Sequence, residues 1–596
     1  MANMLLVFKD GLTKLNFILS KQQKIYGVII FVLSMLGAFL EMMGVGIIIP
    51  FVQLLLNIDT LIGSNDIWKD ILQRHHISTD IELMILMTIL VMLLFLGKNI
   101  YFMFLSWLQV KYSSKIEREL SVQMLEAFME KEYTYFLNED TAEIMKYIST
   151  DTLGTNQLVY HFLRAVTDIG IIIFIGIYLM ITDWFIALGT GFMAGICVLI
   201  VYGYFRNKMR KAGLEYNFYS GKTSQYLLQS IMGIKEVLVL KRQRYFVDKY
   251  KYALTQRQYK YIQQTMGWEW PAYIIEGLCV TGILAVLCIR IAVSQEDLRL
   301  LIPMLSAFAI GAFRILPSLG RISAAINSAV YYAPSLNHVY NHLKSNEDLK
   351  SKKADRREHE VENKKIAFKN EIKVENIYWR YGEDKPDVIC GLNLVISKGN
   401  LIGLVGQSGA GKSTLVDIIL GILKPQKGSV TIDNFNVFDT GVDLAKILGY
   451  VPQNSYFPND SIRNNVAFGI YEDEIDDAKV WSALEQAQLK EVVENLPEGL
   501  DTLMGDNGLH FSGGQRQRVA IARALYHEPE ILIFDEATAA LDNETERAVM
   551  ESIMALKGHK TMLIIAHRLT TLRGCDFIYE IKDGKAYQRA YEELLN

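Results

Sequence analysis

The chain has 596 residues, 51% hydrophobic and 21% charged, with a formal net charge of −4. That length exceeds one ordinary domain, and an acidic balance without a basic excess argues against nucleic acid as a partner. Cys197, Cys279, Cys288, Cys390 and Cys575 are scattered without metal-ligand spacing. They read as buried small hydrophobes, not as a disulfide framework. The mean hydropathy of +0.17 averages two unlike parts. Long apolar runs fill the first 330 residues, and the remainder reads as a globular domain.

Residues 1–24 form a short amphipathic leader ending in Lys21 and Lys24, without the apolar core and small-residue cleavage site of a secretory signal. An interfacial elbow helix is expected there. Six runs are long enough to span a bilayer: 25–56, 83–110, 159–181, 184–205, 271–293 and 298–322. The connections at 182–183 and 294–297 are short. Those at 111–158 and 206–270 are long, charged and helical in pattern. Arg206, Lys208, Arg210 and Lys211 follow the fourth run, and Lys21 and Lys24 precede the first. Positive charge collects on the cytoplasmic side, so the long connections and both termini are placed there.

Charges interrupt the apolar runs, among them Glu41, Lys98, Glu276, Arg290, Arg314 and Arg321. Each costs about 2.5–3.5 kcal/mol at bilayer depth, so each must meet a partner or a wet cavity. Two readings stay open. Lys98, Arg314 and Arg321 line a pathway for an anionic substrate, or the charges pair between helices, as Glu41 could with an arginine. Residues 25–345 form the expected membrane domain. A charged segment, 346–368, has almost no apolar content and reads as a tether.

Residues 369–596 form the expected second domain. Gly406, Gly411, Lys412 and Ser413 fit the spacing of a phosphate loop that also holds Gln407, Ser408, Gly409, Ala410 and Thr414. An apolar strand precedes it and a helical pattern follows, the context in which such a loop binds phosphate. Glycines let successive N–H groups point into one concavity, and the helix N-terminus adds positive potential. Lys412 would reach the β- and γ-phosphates and the Ser413 hydroxyl would ligate Mg²⁺. The apolar run at 531–534 ends in Asp535, placed to hold Mg²⁺, and Glu536, placed to polarise an attacking water.

With Ser512, Gly513, Gly514 and Gln515 forming a Ser-Gly-Gly-Gln signature, residues 371–585 resemble the nucleotide-binding domain of ABC transporters. Phe511 stands where that family more often has leucine. The resemblance implies ATP and Mg²⁺ as cofactors. It implies adenine stacking on Tyr381, a Mg²⁺ and γ-phosphate sensor at Gln453, a switch histidine at His567 and a D-loop aspartate at Asp542. Glu536 would be the general base. Ala539 replaces the usual serine beside the D-loop, and Asp506 stands where exporters often have glutamate. In this family the signature closes over ATP on the opposite subunit's loop. One loop, one signature and six runs therefore imply a homodimer.

Six spans with long cytoplasmic extensions resemble the exporter arrangement, with bends toward the nucleotide domain expected near 133–143 and 221–229. No processing-protease domain is read ahead of the first run. The expected fold is thus an α-helical six-span transmembrane domain followed by an α/β P-loop ATPase domain of ABC type. Residues 39–56 (FLEMMGVGIIIPFVQLLL) and 313–322 (FRILPSLGRI) are similar to stretches of bacterial lipid-linked oligosaccharide flippases of the protein-glycosylation type. Those proteins carry an external helix after the first span, and 66–74, with apolar Ile67, Trp68, Ile71 and Leu72, suits one. Such a helix could touch membrane lipid or only cap the loop. The resemblance implies an ATP-driven flippase for a lipid-linked glycan in the bacterial inner membrane, its ATPase in the cytoplasm. The alternative is a general lipid or hydrophobic-drug exporter.

Overall fold

A computed structural model describes residues 2–56, 80–293, 298–357, 368–439, 444–536, 543–566 and 568–594. The chain divides into two compact units, Met1–Lys131 with Glu139–Leu349, and Glu132–Asn138 with Lys350–Asn596.

The first unit is helical. It contains α1 (Ala2–Ile18), α2 (Lys21–Gly46), α3 (Ile48–Leu56) and α4 (Asp80–Met129). A short helix of the other unit, α5 (Tyr133–Asn138), interrupts it before α6 (Thr141–Lys146) and a π-helical turn over Tyr147–Asp151. It continues through α7 (Thr152–Thr182), α8 (Trp184–Met232), α9 (Ile234–Val239), α10 (Gln243–Val293) and α11 (Leu298–Arg357). Helix α4 has 50 residues, about 75 Å at 1.5 Å per residue. The hydrocarbon core is only about 30 Å thick, so the expected charged connections are the same helices continued beyond the lipid.

Among the described residues, five helices are long and apolar enough to cross a membrane: Lys21–Val52, Met84–Met129, Thr141–Thr182, Trp184–Met232 and Ser306–Asp348. The fifth expected run, 271–293, is helical within α10, with Pro271 inside the helix. Leu93, Leu96, Ile100 and Met103 on α4 point outward, as lipid-facing side chains do. Helix packing buries Ala38, Val45, Ile171, Ile175 and Leu179 in one cluster and Val201, Phe205, Ile275 and Val330 in another. Small polar groups tie the helices together: Gln109 donates to Thr167 at 3.1 Å, and Thr167 donates to Ser34 at 2.9 Å.

Several expectations need correction. The first run, 25–56, is broken at Ile47, because the Pro50 ring cannot follow the preceding turn of an uninterrupted helix. The second bend lies at 233–242, around α9, whereas 221–229 is inside continuous helix α8. Periodicity continues through both places, so it does not mark the reversal. Residues 346–357 extend α11 instead of starting a tether. Cys288 is exposed and Cys390 and Cys575 are partly so; only Cys197 and Cys279 are buried. The expected external helix at 66–74 lies outside the described residues.

The second unit holds two sheets. The antiparallel one is β2 (Ile389–Ser397), β1 (Glu371–Trp379), β4 (Lys427–Ile432) and β5 (Phe435–Asn436), in that order. The six-stranded one runs β10 (Lys585–Arg589), β9 (Phe577–Lys582), β3 (Leu401–Val405), β8 (Thr561–Ile565), β7 (Ile531–Asp535) and β6 (Leu448–Val451). From β9 to β6 all pairings are parallel. Strands β3, β7 and β8 are buried at every position, as parallel strands covered on both faces must be. In such a sheet the loops at the carboxyl ends of the strands lie on one edge, where ligands bind.

Candidate functional site

The carboxyl edge of β3, β7 and β6 gathers the phosphate loop, Asp535 with Glu536, and Gln453. Strand β8 lies between β3 and β7 and leads to His567. His567 and Asp542 are outside the described residues, so their side chains enter no geometry.

The phosphate loop leaves β3 at Gly406, whose φ is +150°. A Cβ there would lie 2.4 Å from the carbonyl oxygen of Ile581, so only glycine fits this approach to β9. Gly409 and Gly411 take φ of +81° and +98° and turn the chain into α12 (Lys412–Ile419). Gln407, Ser408 and Ala410 complete the turn, and Ser413 and Thr414 open the helix. Lys412 is buried and donates to the carbonyls of Gly406 at 2.8 Å and Gln407 at 3.1 Å. Burial lowers its pKa, opposed by Glu536 and Asp535. The ammonium is held inside the curve of its own loop.

Asp535 ends β7 and is buried. Burial raises its pKa, Glu536 adds to the rise, and the Ser413 and Tyr450 hydroxyls and Lys412 oppose it. Its Oδ1 is enclosed without a hydrogen-bond partner. An ionised oxygen left unpaired beside a serine hydroxyl fits a hard divalent cation, which would supply the missing contact. Glu536, at φ +49°, holds a left-handed backbone that costs a non-glycine residue about 1–3 kcal/mol. That turn brings Gln453 Nε2 to 2.5 Å from Glu536 Oε2. Two of the expected catalytic side chains therefore touch directly.

Tyr381 donates to or accepts from Thr414 Oγ1 at 3.1 Å, and its ring meets Trp379 edge-on with centroids 4.3 Å apart. The Tyr381 side chain is thereby fixed beside the loop, yet it stays 44% exposed, leaving area for a planar ligand. Ser512 caps α13 (Gly513–Leu525): its hydroxyl accepts from Gln515 N–H, and Ser512 N–H donates to Gln515 Oε1 at 2.9 Å. The signature is thus a capping box that presents Gly513 and Gly514 in the first helical turn. Phe511 fills a buried position behind it.

Two residues were missed from sequence. Asp417 on α12 has its pKa pushed up to about 6 by burial, with Asp535 adding to the rise. Tyr450 on β6 has its phenol pushed up by burial, then by Asp535, Asp417 and Tyr133 of α5. Neither belongs to a motif; only the strand order brings them to Asp535.

In the membrane unit the charged side chains pair. Lys98 is buried and donates to Glu41 Oε2 at 3.0 Å, while Arg314 Nε lies 2.9 Å from Glu41 Oε1 without hydrogen-bond alignment. Gly44 makes room, since a Cβ there would lie 3.1 Å from the Lys98 ammonium. Arg321 grips Asp168 with Nε at 2.9 Å from both oxygens and Nη2 at 2.6 Å. The Arg314 and Arg321 side chains remain 37% and 40% exposed, whereas that of Lys98 is 1% exposed. Pairing therefore accounts for all three, and only the arginines keep accessible surface. Glu276 is exposed on α10. The side chain of Arg290 is outside the described set.

Comparison with known proteins gives two family matches. Residues 389–539 match the model described as ABC transporter, and 27–311 match the ABC transporter transmembrane region. An ATP-dependent lipid A-core flippase of Cupriavidus pinatubonensis is 43% identical over 38% of this chain and 39% of that protein. The protein of the same name from Saccharophagus degradans is 30% identical over 70% of this chain and 68% of its own length. A solved bacterial Atm1-family ABC exporter with ATP bound covers 96% of both chains with a TM-score of 0.73 and 20% identity, a likeness of fold.

Proposed function

This chain belongs to the ABC transporter family as an exporter-type protein, and we propose that it works as a homodimer flipping a lipid-linked oligosaccharide. It is a multi-pass integral membrane protein with its ATPase domain in the cytoplasm, where ATP binding and hydrolysis drive transport.

The loop amides and Lys412 would hold phosphate oxygens, with Tyr381 against the base. Ser413, Gln453 and Asp535 would hold Mg²⁺, which neutralises charge on the transferring phosphoryl group. Glu536 would accept the proton of the attacking water, oriented by Gln453. Ser512, Gly513, Gly514 and Gln515 would close on ATP held by the other copy, so two chains complete two sites. Asp542 and His567 join them by position in the family's motifs.

One observation carries the substrate class. Glu41 is a single buried carboxylate between two cations, Lys98 and Arg314. Among the described residues the two cations share this one carboxylate, and Arg314 keeps accessible surface. A partly accessible arginine that shares its carboxylate with a lysine suits a transported anion such as a pyrophosphate headgroup. The relatives named lipid A-core flippases support a lipid as cargo and leave a broader lipid or hydrophobic-drug exporter as the second reading.

Reconstitution into liposomes separates the two. ATP-dependent translocation of a polyprenyl-pyrophosphate oligosaccharide, faster than that of simple lipids or dyes, is expected. It should be lost in Arg314→Ala or Arg321→Ala while hydrolysis continues. Equal transport of uncharged dyes would favour the broader exporter.

A further inference from the structure

Folding brings together two cysteines that the sequence leaves far apart. Cys197 of α8 and Cys279 of α10 are 4% and 3% exposed, and their thiols hydrogen-bond each other. We propose that this pair, with the thioether of Met193, binds a soft monovalent metal ion, Cu(I) or its analogue Ag(I), between two membrane helices. The site rests on these side chains and not on the transport reading above.

Met193 lies one turn before Cys197 on the same face of α8. Across the seam, Gly282 lies one turn beyond Cys279 on α10, and a Cβ there would come 3.5 Å from the Met193 sulfur. Glycine thus seats the thioether against α10, one turn from the thiols. A methionine side chain has three rotatable bonds, enough to swing its sulfur toward a metal at the pair.

The surroundings select the ion. Val201, Phe205, Ile275 and Val330 belong to the same buried cluster as the two cysteines, so a net charge there carries a desolvation cost. One thiolate, one thiol, one thioether and a monovalent cation sum to zero. Thiolate and thioether sulfur select Cu(I), which accepts two or three such ligands. Zn²⁺ takes four ligands, and among the described residues no three histidine, cysteine or carboxylate side chains gather as a metal centre.

Cys279 also lines a cavity of about 1230 Å³ walled by α7, α8, α10 and α11, with Ile177, Phe192 and Leu316 on its surface. A neutral complex of copper with a small-molecule thiolate can enter that apolar space, where a bare ion cannot. At the pair, one cysteine sulfur bonds the metal and its proton passes to the departing carrier thiolate, which leaves as a thiol. One Cu–S bond forms and one breaks, copper stays Cu(I), and no charge moves. The bound ion would bridge α8 to α10.

The test titrates the full-length transporter in phosphatidylcholine nanodiscs, without oxygen, with Cu(I) buffered by a colorimetric chelator. Wild type should hold one tight ion per chain, and Cys197→Ser or Cys279→Ser should each weaken that binding about 100-fold or more. Met193→Leu should weaken it about tenfold, and Cys288→Ser should leave it unchanged. X-ray absorption by the wild-type copper complex should show sulfur neighbours alone, a readout that no variant's folding can disturb. Tight binding retained in the Cys197→Ser, Cys279→Ser double variant overturns the site. Nitrogen or oxygen neighbours on the copper, or loss of the ion in Cys288→Ser, would place it elsewhere and overturn the site as well.

Discussion

Glu536 sits one residue beyond a fully buried strand in a backbone conformation that favours glycine, and Gln453 holds its carboxylate. Removing the negative charge while keeping the shape isolates its role as base. Glu536→Gln should still bind ATP but lose about 10²–10⁴-fold in turnover, measured by steady-state phosphate release. Normal hydrolysis would remove it from that role. Gly406→Ala should cost at least as much as a left-handed backbone, about 1–3 kcal/mol, because the new methyl meets the Ile581 carbonyl. A melting temperature equal to wild type would contradict that contact. Asp576 anchors the amino end of β3, the strand that leads to the loop: its carboxylate accepts from Leu401 N–H at 2.8 Å and pairs with Lys557 at 2.7 Å. Burial works against its ionisation, but these partners hold its pKa below the usual value of 3.8. A depressed carboxylate stabilises the fold above its unfolded pKa and loses that contribution as pH falls through the folded one. Asp576→Asn should therefore lower the melting temperature at pH 7, with the gap narrowing below pH 4. A gap independent of pH would assign the effect to shape instead of charge.

Elements show which parts of the chain periodicity can resolve. The short connection expected at 182–183 is real because Asp183 caps α8, accepting from Phe185 and Ile186 N–H at 2.9 and 3.1 Å. The second bend, placed at 221–229 by likeness to the exporter arrangement, lies instead around α9, and the charged helical pattern that runs on both sides of it leaves no mark of the reversal. In the structure Gly221 lies within α8, where a Cβ would come 2.5 Å from Glu143 Oε1. It serves close packing against α6, not a turn. Between α7 and α11, the Asp168–Arg321 pair is the clearest single tie. Breaking a buried pair costs about 3–5 kcal/mol, and discounting for the exposed side of Arg321 leaves about 1–3 kcal/mol. Asp168→Asn should lower thermal stability in detergent by that amount. Replacing both partners with apolar residues should recover most of it. No recovery would mean that Arg321 is needed for more than pairing.

At the scale of the whole molecule, each chain contributes one phosphate loop and one signature. ATPase activity of the purified protein should therefore fall steeply on dilution below the dimer dissociation constant. Full activity in a particle shown by light scattering to be monomeric would refute the shared-site assembly. The same accounting applies to the membrane unit, which leaves Phe192, Leu199 and Ile200 of α8 exposed. Lipid or a second copy covers such surfaces at little cost, since neither offers water to apolar groups.

The order of motifs made the nucleotide domain legible from sequence alone. A phosphate loop requires glycines and a lysine at set spacings, and a carboxylate pair must end a buried strand. These are local chemical demands and leave local traces. Hydropathy likewise revealed the long apolar helices, because the bilayer imposes a minimum apolar length. Tertiary structure alone decided which groups meet. Strand order set Asp417 and Tyr450 beside Asp535, and helix packing chose pairing for Lys98 and partial access for Arg314 and Arg321. It also set the Cys197 and Cys279 thiols side by side. Residues far apart in sequence carry no mutual spacing signal, so their encounter appears only when the chain is folded.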